Sequence, residues 1–317
     1  MKATVVRDDK SLVWQEVPNP KCKVDEVLVD IHYTALNRAD LMQRAGHYPP
    51  PEGASEILGL EVSGKVSDPN GTVAWQVGDA VCALLTGGGY AEQVCVPAEM
   101  LVPIPEGWTL AEAGGMPEVF FTAYLNLFIE AGLQAGERVL IHGGASGVGT
   151  AAIQLAKAAG CEVFATAGTA EKVARCESLG ATTAINYREQ DFAVVIEKSS
   201  VDVVLDMVGA DYFERNLKVL TTGGRLVFIS TLSGSEVTLD IRKLMGKRTM
   251  LKGSTLRARP LEEKVSIKQK FMAQFWEALE GGVKPVIDST YNVQEAEAAH
   301  ATMRDNKNIG KLLLKVR

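Results

Sequence analysis

Arg138-Val139-Leu140-Ile141-His142-Gly143-Gly144-Ala145-Ser146-Gly147-Val148-Gly149-Thr150-Ala151-Ala152-Ile153-Gln154-Leu155-Ala156-Lys157 is the stretch that decides the fold of this chain. Arg138 leads into Val139-Leu140-Ile141, a short apolar run that is β-branched in part, the pattern of a buried parallel strand. Ala152, Ile153, Leu155, Ala156 and Ala159 follow at helical spacing, so the glycines occupy a strand-to-helix turn. Gly143, Gly144, Gly147 and Gly149 carry no side chain and let backbone come close to a pyrophosphate. The first N–H groups of the helix lack partners and, with the helix dipole, favour an anion there. The pattern is Gly143-x-x-Ser146-x-x-Gly149 with Gly147 added, not the usual G-x-G-x-x-G. Taken alone it also fits an ordinary tight turn. As a dinucleotide turn it assigns Ser146, Gly147, Val148 and Gly149 to the ligand.

A second strand follows at Glu162–Ala167. Folds of this kind usually end that strand with Asp or Glu on the adenine ribose hydroxyls. Here it ends Ala167-Gly168-Thr169, with no acid, and Lys172 comes three residues later at the start of the next helix. A cation without a carboxylate suits the 2′-phosphate of NADP(H) rather than a free hydroxyl.

The chain has 317 residues, which points to two domains, and its 46% apolar content supports a sizeable interior. A net charge of −6 counts against a polyanion-binding surface and a nucleic-acid partner. The basic pairs Arg242-Lys243, Lys247-Arg248 and Arg257 with Arg259 read as solvated helix and loop faces. Five scattered cysteines without a C-x-x-C pair read as reduced thiols in a cytoplasmic protein. The N-terminus starts as a strand without a signal-peptide core, and no apolar run is long enough to span a membrane.

Residues 1–117 read as short strands and turns, a β-rich and partly closed module, with a short helix over Arg38–Arg44. Glu26–Tyr33 alternates, with Val27, Val29 and Ile31 on one face. Helices are expected at Ala111–Met116 and Phe120–Ile129. Strands at Arg138–Ile141, Glu162–Thr166, Thr183–Ile185, Val203–Met207, Arg225–Ile229 and Met250–Lys252 then alternate with helical patterns. That is a parallel sheet covered on both faces, the doubly wound order. Ligands lie at the carboxyl ends of such strands, which singles out Val208-Gly209 and the Ser230–Gly234 turn, including Leu232. Val286–Val293, a helix near Ala296–Met303 and Lys311–Val316 return to the first module. The expected division is 1–117 with 283–317, and 118–282.

With these pieces in place, the chain resembles the medium-chain dehydrogenase/reductase superfamily, and within it the zeta-crystallin-like quinone oxidoreductases. The resemblance spans essentially the whole length. It rests on Asn37-Arg38-Ala39-Asp40-Leu41, Gly46-His47-Tyr48-Pro49, Gly59-Leu60-Glu61-Val62-Ser63-Gly64, Gly78-Asp79-Ala80-Val81, Thr122-Ala123-Tyr124, the glycine turn, and Asn308-Ile309-Gly310-Lys311. It implies an α/β protein with a GroES-like β-rich catalytic domain and a Rossmann cofactor domain. Zinc-dependent members carry Cys-His in the first motif and Gly-His-Glu in the third. Asn37 stands at the cysteine position and Leu60 at the histidine position, so the resemblance implies chemistry without a metal.

A quinone is already a good hydride acceptor, and positioning can supply much of its reduction. The resemblance places Asn37, Asp40 and Tyr48 near the nicotinamide and substrate, with Thr122, Asn308 and Lys311 at the cofactor. Asn37 would donate to a quinone oxygen, and Tyr48 would stack or donate its hydroxyl. Asp40 reads as a hydrogen-bond partner rather than a base. Lys172, with Ser146, Gly168, Thr169 and Tyr187, would take the 2′-phosphate. The resemblance also implies a homodimer joined edge to edge through Met250–Ser254. Conjugate reduction of enals or enones fits the same features. A non-enzymatic NADPH-binding role is the third reading.

Overall fold

The structure, a computed structural model, describes all of residues 1–317, which form two units: Met1–Phe121 with Arg257–Arg317, and Thr122–Leu256. The first unit begins with β1 (Lys2–Val6) and β2 (Leu12–Glu16), an antiparallel hairpin. It continues through β3 (Glu26–Ala35), α1 (Arg38–Ala45), β4 (Glu61–Asp68), β5 (Ala80–Leu84), β6 (Gln93–Pro97), β7 (Leu101–Pro103) and α2 (Leu110–Gly114). α3 (Pro117–Tyr124) runs across the boundary. Val27, Val29 and Ile31 on β3 are fully buried, as their alternation requires. Pro117 opens α3, a position where its missing N–H is harmless. The long helix expected to Ile129 instead changes to a wider-turned segment at Leu125–Glu130.

The second unit holds β8 (Arg138–Ile141), α4 (Gly147–Ala158), β9 (Glu162–Ala167), α5 (Ala170–Ser178), β10 (Thr183–Asn186), α6 (Phe192–Val195), β11 (Val201–Asp206), α7 (Phe213–Val219), β12 (Leu220–Phe228), α8 (Ile241–Lys247) and β13 (Met250–Gly253). Its strands lie in the order β10-β9-β8-β11-β12-β13, and every pair is parallel. Chain order reverses at β8, which has β9 on one side and β11 on the other. This is the switch point at which such sheets bind ligands. Leu140, Phe164, Ile185, Val204 and Leu226 form the centre of one buried layer of this unit.

The chain then returns to the first unit as α9 (Leu261–Glu280), β14 (Ile287–Asn292), α10 (Ala296–Arg304) and β15 (Lys311–Lys315). β15 pairs antiparallel with β3, in a sheet ordered β14-β15-β3-β4-β5-β7 with β6 also on β3. The division differs from the expected one in giving α9 to the first unit. Packing decides this. Phe271 lies edge-on to Phe120 and Phe121, with centroids 6.2 and 5.3 Å away, and Trp108 Nε1 donates to the Leu279 carbonyl at 3.2 Å.

The cysteine reading needs correction. Cys22 and Cys95, 73 residues apart, form a disulfide, whereas Cys82, Cys161 and Cys176 are free and buried. β6 runs beside β3, which sets Cys95 opposite Leu28 and close to the segment that leads into β3. No helix is long and apolar enough to cross a membrane.

Candidate functional site

In the second unit, β8 delivers the chain to the glycine turn and Ser146 caps α4. Its Oγ accepts from Gly149 N at 3.0 Å. A Cβ on Gly149 would lie 2.2 Å from the Gly143 carbonyl oxygen, so any side chain would push the helix off the turn. Gly143 itself sits at φ +62°, in the left-handed region. The N–H groups of Gly147 and Val148 find no partner within the chain and stand at the positive end of a twelve-residue helix. Behind the turn, His142 is fully buried. Its Nε2 lies 2.7 Å from Asn216 Oδ1, and Asn216 Nδ2 donates to Asp206 at 2.8 Å. Asn216 therefore accepts from His142 Nε2–H, which leaves Nδ1 to accept from the Thr166 hydroxyl at 3.0 Å. Burial pushes the His142 pKa down, so the ring is neutral. This chain of bonds ties β8, β9, β11 and α7 together beneath the turn.

At the end of β9, Thr169 caps α5 by accepting from Lys172 N at 3.2 Å. Tyr187 N donates to the Ala167 carbonyl at 3.0 Å, and a Cβ on Gly168 would lie 2.6 Å from the Tyr187 hydroxyl. Gly168, Thr169, Lys172 and Tyr187 are thus brought together, with no carboxylate among them. At the end of β11, Asp206 Oδ1 accepts from Val208 N at 2.5 Å and Gly209 N at 3.1 Å. Ser233 N and Oγ both donate to the Val208 carbonyl, at 2.8 and 2.9 Å. Val208, Gly209 and the segment of Ser230 and Leu232 therefore form one platform beyond β11 and β12, with Leu232 59% exposed. Thr122 is buried in α3, and its carbonyl accepts from Asn126 Nδ2 at 2.8 Å.

In the first unit a polar cluster lies under the start of α1. Lys311 Nζ donates to the Leu36 carbonyl at 2.6 Å, Asn37 Oδ1 at 2.7 Å and Glu61 Oε1 at 2.8 Å. Asn37 Nδ2 donates to the same Glu61 oxygen at 3.0 Å, and Glu61 Oε2 accepts from Glu118 N at 3.0 Å. Both Lys311 and Glu61 are buried. Asn308 Nδ2 donates to the Gly310 carbonyl at 2.7 Å and shapes the turn that brings Lys311 in. The three protons of the ammonium are therefore all engaged inside the unit, which leaves none for the cofactor contact expected of Lys311. The Asn37 amide is engaged with Lys311 and Glu61. Its remaining N–H makes only a 3.4 Å contact with Ala35 O, so one donor at most is left for a substrate.

Asp40 is fully buried and anchors the start of α1. It accepts from Asn37 N at 2.7 Å, Gly59 N at 3.0 Å and the Tyr90 hydroxyl at 3.4 Å. Burial raises its pKa to about 6, against the pull of those N–H groups and of Lys311 and Arg257. Tyr90 in turn meets His300 Nε2 at 3.2 Å, and burial drives the His300 pKa down to about 3.

Tyr48 is half-buried and burial raises its phenol pKa, so it stays protonated and can donate. Its ring lies 5.4 Å from the Arg257 guanidinium. Arg257 is not a solvated loop residue. It is 6% exposed, with Nε donating to the Thr86 carbonyl at 2.9 Å and NH2 to Gln43 Oε1 at 2.7 Å. Sequence reasoning missed Glu61, Tyr90 and His300 as members of this cluster and took Arg257 for a surface residue. Only Glu61 carried a signal, an acid inside an otherwise buried strand motif.

Two family models match this chain: the alcohol dehydrogenase GroES-like domain over residues 23–106, and the zinc-binding dehydrogenase over residues 147–270. The mouse (Mus musculus) quinone oxidoreductase is 31% identical over 308 residues, covering 94% of this chain and 91% of that protein. Among solved structures, the quinone oxidoreductase from Thermus thermophilus, also solved with NADPH, superposes with a TM-score of 0.84 at 32% identity and full coverage of both chains. The CurK enoyl reductase superposes with a TM-score of 0.83 at 30% identity, covering 96% of this chain and 95% of that one. Sequence, sheet order and these likenesses agree that the chain belongs to the medium-chain dehydrogenase/reductase superfamily, among its quinone oxidoreductase-like oxidoreductases.

Proposed function

We propose that this protein is an NADPH-dependent quinone reductase that works without zinc. The observation that carries the reading is the Lys311–Asn37–Glu61 cluster. Asn37 and Leu60 stand where zinc-dependent members have their ligands. The carboxylate beside them is already neutralised by an ammonium 2.8 Å away, a donor set that does not suit zinc. Without a Lewis acid, the acceptor must be electrophilic by itself, as a quinone is. The names of the mouse and Thermus relatives support this substrate class.

NADPH, when bound, supplies the hydride. The free N–H groups of Gly147 and Val148 would take its pyrophosphate, and Lys172 with Thr169 and Tyr187 its 2′-phosphate. Val208, Gly209, Ser230 and Leu232 would line the nicotinamide end. Tyr48 would hold the acceptor by its ring face and hydroxyl, while Asn37, Asp40 and Lys311 keep the start of α1 rigid. The protein would work as a homodimer through β13. That strand is a free sheet edge, and Met250 on it and Met245 on α8 are 52% and 71% exposed.

The likeness to an enoyl reductase supports a second reading, hydride transfer to the β-carbon of an enone or enal. A screen of NADPH oxidation across quinones, enals and enones tests both. The quinone reading expects the highest kcat/KM with quinones. Higher values with enones would replace it by the second reading, and no turnover with any acceptor would leave only a binding role.

A further inference from the structure

We propose that Arg257 is the residue that receives the carbonyl oxygen of the acceptor, beside Tyr48; the proposal rests on the reductase reading above. Its guanidinium is held on two sides, by the Thr86 carbonyl and Gln43 Oε1, and its central carbon lies 5.4 Å over the Tyr48 ring. The third nitrogen, NH1, is buried and has no hydrogen-bond partner. A desolvated guanidinium N–H without an acceptor costs about 1–3 kcal/mol or more, and folded proteins rarely leave one. The fixed stem and the two anchors aim this donor; they do not satisfy it.

The chemistry of the acceptor supplies what is missing. Hydride transfer to a quinone or an enone places a negative charge on a carbonyl oxygen, as a hydroquinone anion or an enolate. A pre-positioned cationic donor at that oxygen stabilises the charge as it forms. The alternatives nearby are weaker. The Asn37 amide is engaged with Lys311 and Glu61, and Tyr48 offers a neutral hydroxyl. Lys264 is also buried, and Arg257 is one cause of its lowered pKa, after burial itself, so a second cation lies close enough to sense the first. Asp40 also faces Arg257, but its carboxylate already accepts from Asn37 N, Gly59 N and the Tyr90 hydroxyl, so it does not take the NH1 proton. Tyr48 belongs to the stretch from Gly46 to Gly59, which has no helix or strand. A shift of this segment would open the edge of the guanidinium, where NH1 can donate to a carbonyl oxygen in its own plane. Arg presents several fixed in-plane donors, so two can stay on Thr86 and Gln43 while NH1 meets the acceptor; Lys, with one freely rotating ammonium, does not reproduce this.

The test compares wild-type, Arg257→Met and Arg257→Lys proteins. Two quantities are read: kcat/KM for a 1,4-benzoquinone and for an enone, and the Kd of NADPH by fluorescence. Binding of 2-hydroxy-1,4-naphthoquinone without cofactor gives a readout independent of turnover. The proposal expects kcat/KM and hydroxynaphthoquinone affinity to fall about 10- to 100-fold in Arg257→Met, the loss of one charge-assisted hydrogen bond. Arg257→Lys should fall between, and NADPH Kd should stay within about twofold, well under the tenfold that 1.4 kcal/mol would give. Unchanged acceptor kinetics and binding in Arg257→Met overturn the proposal. Equal loss of NADPH and acceptor affinity in both variants also overturns it, since that marks a structural role. If Arg257→Met does not fold, Arg257→Lys alone decides: acceptor affinity equal to wild type refutes the planar donor. A wild-type protein that reduces neither quinone nor enone defeats the reductase reading itself, and is distinguished by its failure before any variant is made.

Discussion

Lys311 Nζ and Glu61 Oε1 meet at 2.8 Å with both side chains closed to solvent. Lys311 opens β15, the last strand of the chain, and Glu61 is the first residue of β4. Their union explains why the last strand must return to the first unit. Each charge is fully bonded: the ammonium has three acceptors, and the carboxylate takes two side-chain donors and one backbone N–H. Such a pair is weak evidence of net stabilisation, but breaking it on one side is costly.

Lys311→Met should therefore destabilise the protein by about 3–5 kcal/mol, because Glu61 is left buried and uncompensated. In a Glu61→Leu background the same change should cost much less. Urea unfolding of the four proteins checks this. Additive losses would show that the two residues do not depend on each other.

Asp40 gives stability a defined pH dependence. Its folded pKa is about 6 against an ordinary 3.8, so the folded state binds its proton more tightly. Its contribution is fully present below about pH 4 and is lost as pH rises through 6, about 3 kcal/mol in all. The stability difference between wild type and Asp40→Asn should shift against the wild type over that window and then level off. His300 has the opposite sign, its pKa being lowered, but that contribution cancels in the comparison. A difference that stays flat from about pH 4 to 7 would contradict the burial argument.

The Cys22–Cys95 disulfide closes a loop of 73 residues in the first unit. Loop-closure entropy of that size is worth about 4.5 kcal/mol at most. Cys95→Ser, or thiol reductant, should lower the unfolding free energy of the first unit by an amount within that bound, and with it the unfolding midpoint, and reductant should have no further effect on the variant. A wild-type midpoint indifferent to reductant would mean that the bond does not constrain the unfolded chain.

Lys172→Ala should weaken NADPH about 10- to 100-fold and NADH far less, since only NADPH carries the 2′-phosphate. Titration of both cofactors by fluorescence checks it. Equal weakening would move the 2′-phosphate site elsewhere.

The second unit was legible because its signals are local. The apolar run Val139–Ile141, the glycines and the following helix are contiguous in the chain, and the parallel order follows from strand–helix alternation. The first unit was legible in outline, through the alternation of β3, but its partners are decided at long range. Nothing near Arg257 says that it is buried, because its acceptors are Thr86 and Gln43, 171 and 214 residues away. The Cys22–Cys95 pairing is likewise set by β6 lying beside β3, and no spacing rule shows it. α9 was assigned to the wrong unit because an amphipathic pattern says that a face is buried, not against what. Asn37 and Lys311 were noticed for the motifs they stand in. That they bond to each other could be seen only once β15 was placed beside β3.

The most direct measurement of the central claim is single-turnover reduction of a quinone by the wild-type protein with NADPH deuterated at its transferable position. Direct hydride transfer predicts slower reduction with the label in single turnover, full reduction to the hydroquinone, and loss of the deuterium to water from the product hydroxyl. Quinone reduction with no isotope effect and with semiquinone accumulating, or no reduction while an enone retains the deuterium at its β-carbon, would contradict the account.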